Sequence, residues 1–292
     1  MDMDIIPYFL TGLVIGSIYG LTTLGLSLIF GVLRVANVAH GSFIMIGAYV
    51  AYTFFVAWAI PPIVSATAAL LIGMAAGYLV YVGVIKPLGK AELNKLVALF
   101  ALGALLAEVA RLIWGPDFVG YRWSIGSIEI AGLQLEITKL MGAVASLIIA
   151  VLLELTLRRT YFGRAIKAVV QDPIGAMVVG INVERILALS AAVGIGVTAL
   201  GGVLLTLFIP VGINPYMGGP YTLIGFVIAV LGGLGSVMGP YIAGLLFGVF
   251  ESVGFYVFSS LGFAEPSQMA LFLSFVLLLL LLLFKPTGLF RI

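Results

Sequence analysis

The apolar positions of this chain run in long, nearly unbroken stretches rather than in alternation or one-sided stripes. Runs near 7–30, 38–58, 62–85, 96–114, 139–157, 186–209, 221–236, 240–258 and 268–284 each predict a helix. Several approach the roughly 20 residues that cross about 30 Å of hydrocarbon, and the leucine-rich run from Met269 to Phe284 is the plainest. Strict alternation is absent, so helices rather than a barrel are expected to satisfy the backbone in lipid. The expected fold is all-α: a polytopic helical bundle of about eight to ten membrane spans, with broken helices, in a single domain covering 1–292.

Composition agrees with this pattern. A 292-residue chain with 63% hydrophobic residues and 37 glycines carries more apolar surface than a soluble domain could hide. The opening MDMDIIP has neither a basic n-region nor a small-residue cleavage site, so the first span is expected to act as the insertion signal. With no cysteine and one histidine, a disulfide framework, a thiolate metal site and a multi-histidine metal centre are all excluded. No cofactor and no nucleic-acid partner is expected.

Charge sets the orientation. Lys86, Lys90 and Lys95 share one loop, Arg158, Arg159, Arg164, Lys167 and Arg185 another, and Lys285 and Arg291 the tail; with nine spans these fall on one side, joined by Arg34. The opposite side receives Asp2, Asp4, Asp117, Glu129, Glu136 and Glu265 against Arg122 and Lys139 alone. The positive-inside rule then places the N-terminus outside and the C-terminus in the cytoplasm of a multi-pass cell-membrane protein. On the outer side, residues 115–138 carry alternating and β-branched positions around Ala131-Gly132, which fits a small hairpin lid or an irregular capping loop.

Two interrupted stretches stand out. RVANVAHGSFIMIGAYV sets Asn37, His40, Gly41 and Ser42 at the start of the second span, and PVGINPYMGGPYTLIG sets Asn214, Pro215 and Gly218 at the start of the seventh. Both read Asn, three residues, Gly, and then a small-residue helix start, the first placed at the inner face and the second at the outer. Inverted repeats are expected from this, spans one to four matching six to nine, with broken-helix ends lining a central path. Candidate path residues are Asn37, His40, Ser42, Asn214 and Glu251, the last being a carboxylate within a span that has no base one turn away. Glu108 and Arg111 are three apart and can pair. Gly12, Gly16 and Gly20, and again Gly244 and Gly248, repeat at the spacing that lets helices approach closely.

Among activities, a self-contained ATP-driven pump would need G-x-x-x-x-G-K-[ST], which is missing. An intramembrane hydrolase would need Ser236 and His40 side by side. An ion-coupled secondary carrier could use Glu251 but leaves the basic island at 158–185 without a purpose. Within that island Asp172-Pro173 followed by IGAMVVG predicts a capped short helix with an apolar face ending at Gly180, suited either to a soluble motor domain or to lipid headgroups.

The run GRAIKAVVQDPIGAMVVGINVERILALS resembles the cytoplasmic coupling segment of the branched-chain amino acid permease family of ABC importers. ANVAHGSFIMIGAY, VLGGLGSVMGPYIAGLLFGVFES and LLFKPTGLF are similar to that family's other hallmarks, so the resemblance extends over essentially the whole chain and matches the shorter of two paired permease types. It implies a non-catalytic permease subunit with four kinds of partner besides membrane lipid: ABC ATPase subunits, a second permease subunit, an extracytoplasmic substrate-binding protein and a small-molecule amino-acid substrate. It also assigns Arg164, Ala165, Ala168, Gln171, Asp172, Ala176 and Gly180 to ATPase docking. Relatives of this kind that move urea, amides or other amino acids look similar, so those substrates stay open.

Overall fold

The computed structural model describes residues 5–89, 91–130, 133–209, 211–236, 238–284 and 288–289. Asp2, Asp4, Lys90, Ala131, Gly132, Lys285 and Arg291, which entered the charge and hairpin expectations, lie outside the described residues. The chain folds as a bundle of α1 (Ile5–Leu33), α2 (His40–Trp58), α3 (Pro62–Val80, continued by a π-turn over Tyr81–Ile85), α4 (Glu92–Trp114) and α5 (Ile137–Arg159). Two short helices follow, α6 (Tyr161–Gln171) and α7 (Pro173–Val178), then α8 (Val183–Leu205), α9 (Gly218–Gly232), α10 (Met238–Ser260) and α11 (Pro266–Phe284). Among the described residues eight of these helices are long and apolar enough to cross a membrane, while α9, at 15 residues, is shorter. Large apolar side chains stand exposed along α3, α4, α5 and α11, as expected where the surroundings are lipid.

Helices α1 and α8 form the centre and are the most buried of the spans, whereas α4 and α11 are peripheral. Lipid supplies no hydrophobic drive for one helix to seek another, so the central contacts rely on close backbone approach. The two glycine series noted above face each other: a Cβ on Gly12 would lie 2.7 Å from the Gly248 carbonyl oxygen, and one on Gly16 would lie 2.7 Å from that of Gly244. Helices α3 and α8 meet in the same way, with Gly77 against Ala191 and Ala192 and Gly73 against Gly196. Exchanging the first four spans for the last four carries the α1–α10 pair onto α8–α3 and the α2–α3 pair onto α9–α10, as repeats would, whereas the close α10–α11 pair has only a sparse counterpart in α3–α4. Ser146 of α5 ties into this centre by donating to the Ser17 carbonyl at 2.9 Å, and its hydroxyl also lies 3.0 Å from that of Tyr241.

Away from the basic end, four short strands brace the bundle. β1 (Val119–Gly120) pairs antiparallel with β4 (Val211–Ile213), and β2 (Ser127–Ile130) pairs with β3 (Leu133–Glu136) in the register Ser127↔Glu136. Tyr121 stacks on Phe55 with centroids 4.6 Å apart, and its hydroxyl lies 2.5 Å from that of Thr206. Burial pushes this phenol up to about 12. The loop after α4 is thereby fastened to the chain leaving α8.

Replacing Gly16 or Gly244 by Leu inserts a side chain where only backbone fits. Either variant should lose about 1–3 kcal/mol or more, as overpacking does. The expected outcome is a lowered unfolding midpoint in detergent, with Gly83→Leu, which meets open space, as the unaffected control.

Candidate functional site

Both interrupted stretches produce helices that begin inside the bundle. The Ser42 hydroxyl donates to the carbonyl of Gly103 at 3.2 Å, and Gly103 is the midpoint of α4. The first residues of α2 therefore lie halfway along α4, and the non-helical approach through Val35, Asn37 and Ala39 is buried. Helix α9 also starts within the bundle, because Gly41 packs directly on the Gly218 carbonyl. From this meeting point α2 runs towards the end braced by the strands. Helix α9 runs the other way, so that Ser236, just beyond it, accepts at its carbonyl from the Ser27 hydroxyl near the foot of α1. Instead of lying at opposite faces, the two broken starts are in contact.

Neither helix carries a capping side chain at its own N-cap, Ala39 or Met217. One cap is supplied across the junction: the Gly41 amide donates to Thr222 Oγ1 at 2.9 Å, while the Thr222 hydroxyl donates to the Gly218 carbonyl at 2.8 Å. Beside the junction lies a cavity of about 390 Å³, lined by Val38, Ser42, Gly103, Ala104, Ala107, Pro215, Gly218, Gly219 and Thr222 and edged by Phe100 and Tyr216. That volume falls in the range of small-molecule pockets, roughly 300–1,000 Å³. Its walls hold no charged side chain. An ion pair, Glu108 with Arg111 at 2.6 Å, reaches the rim through the Tyr216 hydroxyl, which donates to Glu108 Oε1 at 3.3 Å.

The sequence candidates divide around this cavity. Ser42 lines it. Asn37 and His40 are buried behind it, where Asn37 Oδ1 and both ring nitrogens of His40 meet no hydrogen-bonding group among the described residues. A Cβ on Gly225 would stand 3.0 Å from the His40 ring, so His40 packs on α9 about two turns past its start. Asn214 Oδ1 accepts from the Tyr216 amide at 2.9 Å and shapes the turn that brings Pro215 and Tyr216 to the wall. Glu251 is not part of the cavity; it sits on α10 against Tyr19 and Tyr221. Ser236 and His40 are not brought together, since the Ser236 hydroxyl donates to the Gly232 carbonyl at 3.2 Å beyond the far end of α9. Thr222, Gly103 and Tyr216 are the residues that sequence reasoning missed. A threonine one turn inside a helix that opens with Gly-Gly-Pro was the only local sign.

At the other end of the bundle, α6 and α7 form the basic island. Asp172 closes α6 and caps α7, accepting at Oδ1 from the Ile174 amide at 3.0 Å, and Gly180 ends the motif at φ +85°. Ala165 and Ala176 are buried and Ala168 is half-buried, so these residues seat the segment on the bundle. Arg164, Gln171, Asp172 and Gly180 are exposed. The projecting surface is apolar, with Ile174, Met177, Val178 and Val179 all more than half exposed. Beside it Lys86 pairs with Glu184 at 2.7 Å, and that hydrogen bond raises the Lys86 pKa.

A family model described as the branched-chain amino acid transport system permease component matches residues 8–282. The chain belongs to this family. The high-affinity branched-chain amino acid transport system permease protein LivH of Salmonella typhimurium is 32% identical, with 96% of this chain and 95% of the relative covered. BraD of Pseudomonas aeruginosa, a permease protein of the same description, is 30% identical over 95% and 92% of the two chains. A probable branched-chain amino acid transport permease protein LivH of Methanocaldococcus jannaschii is 27% identical over 92% and 87%. The molecule is therefore a multi-pass membrane permease.

In this permease, Thr222→Val removes the acceptor of the Gly41 amide and leaves a buried donor unpaired, a loss of about 1–3 kcal/mol. Thr222→Ser keeps the oxygen and should restore stability. Unfolding midpoints of the two variants in one detergent check this.

Proposed function

We propose that the permease is the membrane-spanning subunit of an ABC importer for branched-chain amino acids, and that ATP is hydrolysed by separate ATPase subunits docked on α6 and α7. The observation that carries the docking assignment is the projecting apolar surface of α7. Such a surface is costly in water, and burying one Val or Ile is worth about 1.5–3 kcal/mol. Its base is rigid because Asp172 caps the helix and Ala165 and Ala176 are packed into the core. Arg164, Lys167 and Arg185 flank it and would orient an acidic partner. With this end in the cytoplasm, as the positive-inside rule places it, the N-terminus is outside, and the strand-braced end faces the extracytoplasmic binding protein.

The cavity where α2 and α9 begin is the substrate's passage. Aliphatic walls suit a branched side chain. The amides of Gly218 and Gly219 open α9 at the wall, where the partial positive charge of a helix start favours a carboxylate. With no fixed charge in the lining, such a site would hold a zwitterion weakly, which release on the inner side requires. The cavity is open along α4 and α9, the flank on which a second permease subunit would complete it. The relatives' names favour branched-chain amino acids over urea or amides as cargo. An ion-coupled carrier would rest on Glu251, which stands apart from the cavity.

Two variants should separate passage from coupling. Val178→Asp places a charge on the docking surface, so ATPase co-purification should fall by roughly tenfold or more, the scale of a 1.4 kcal/mol loss, with membrane insertion unchanged. Gly219→Phe fills the cavity and should lower leucine uptake by a similar factor while ATPase co-purification stays at the wild-type level. Wild-type uptake in both variants would refute the assignment of both sites.

A further inference from the structure

At the basic end a second cavity, of about 470 Å³, opens among the ends of α1, α3, α4 and α8 and the inner side of the α6–α7 segment. Its floor is aliphatic, with Leu33, Ile85 and Leu187 among the lining residues, while Arg34, Lys86 and Lys95 supply three cations to its wall. Glu184 neutralises Lys86 in part. Arg34 and Lys95 have no side-chain partner among the described residues. The chain places Arg34 there at a backbone cost: its φ is +53°, a left-handed conformation that residues other than glycine seldom adopt.

The position of the cavity limits what it can hold. It lies where four spans end, so its floor is level with the edge of the hydrocarbon and its cations with the headgroups. Access from the side is open, because α4 meets α3 chiefly at its terminal π-turn and packs little against its α-helical part. The outward faces of the two helices here, through Leu79, Val82, Leu93, Leu96 and Val97, are apolar and exposed. We propose that this cavity is a binding site for one anionic phospholipid, its phosphate held by Arg34 and Lys95 and its upper acyl chain lying on the aliphatic floor. A soluble anion would use the cations but not the floor, and a neutral lipid would use the floor but not the cations. Val169, Val170 and Gln171 of α6 also line the cavity. The lipid therefore supports the coupling segment from beneath and joins the membrane to the surface on which the ATPase is proposed to dock. Assignment to the inner leaflet rests on the orientation given above; the binding itself does not.

The test counts lipids retained by the purified complex containing this chain after exchange into nanodiscs of phosphatidylcholine and phosphatidylglycerol, using native mass spectrometry. Wild type should keep one phosphatidylglycerol that phosphatidylcholine does not replace and that millimolar inorganic phosphate does not displace. Each of Arg34→Gln and Lys95→Gln should weaken retention about fivefold, as expected for one basic residue at a membrane surface. Arg34→Lys should retain the lipid, and Leu187→Trp, which fills the floor without changing charge, should lose it; gel-filtration profiles matching wild type establish that the variants are folded. Equal retention in wild type and the two glutamine variants overturns the proposal. So does displacement by inorganic phosphate, which would make this a free-anion site, or release of the lipid whenever the ATPase subunit binds, which would make an acidic partner segment the occupant. Because lipid counting does not depend on which solute is transported, failure here leaves the transport reading standing.

Discussion

Two helices of this permease begin in the interior of the bundle, and the backbone groups freed there must be satisfied without a helical turn before them. Everything around the junction follows from that constraint. Gly41 and Gly218 let the two starts touch, and Thr222 supplies across the gap a cap that neither helix has for itself. β1 and β4 then hold the chain that leads into α9. The cavity exists because two helices that start inside the bundle leave space that a continuous pair would fill. The tight glycine seams of α1 with α10 and α3 with α8 keep the frame around it rigid.

Features written in local sequence were legible. Apolar runs gave the spans to within a few residues, and the charge clusters placed Arg34, Lys86, Lys95 and the 158–185 island at one end, where the second cavity gathers residues from each. Asp172 as a cap, Gly180 as a terminator and the Glu108–Arg111 pair needed only neighbours three to eight residues apart. The glycine repeats announced close packing, and the structure supplied the information that the two series are each other's partners.

What stayed hidden depends on contacts between distant parts of the chain. The bond between Gly41 and Thr222 spans 181 positions, and no periodicity in either segment reports it. The same blindness placed the two broken starts at opposite faces, since hydropathy marks where a helix begins along the sequence but not at what depth. Ala165 and Ala176 belong to the coupling motif by resemblance, yet only packing reveals that they face inward and leave the exposed surface to Ile174, Met177, Val178 and Val179. Glu251 was conspicuous as a lone acid, and its neighbours Tyr19 and Tyr221 come from two other helices.

The glycines of the chain also differ in what they forbid. Gly180 has open space around its α-carbon but a φ of +85°, whereas Gly41 has a helical backbone and no space at all. Asparagine, which tolerates the left-handed region, can stand in for the first and for nothing like the second. Two glycines that look alike in the sequence thus carry separate kinds of evolutionary freedom. The basic end can drift in residue identity while keeping its shape, and the central crossing admits no side chain unless the helices themselves move apart.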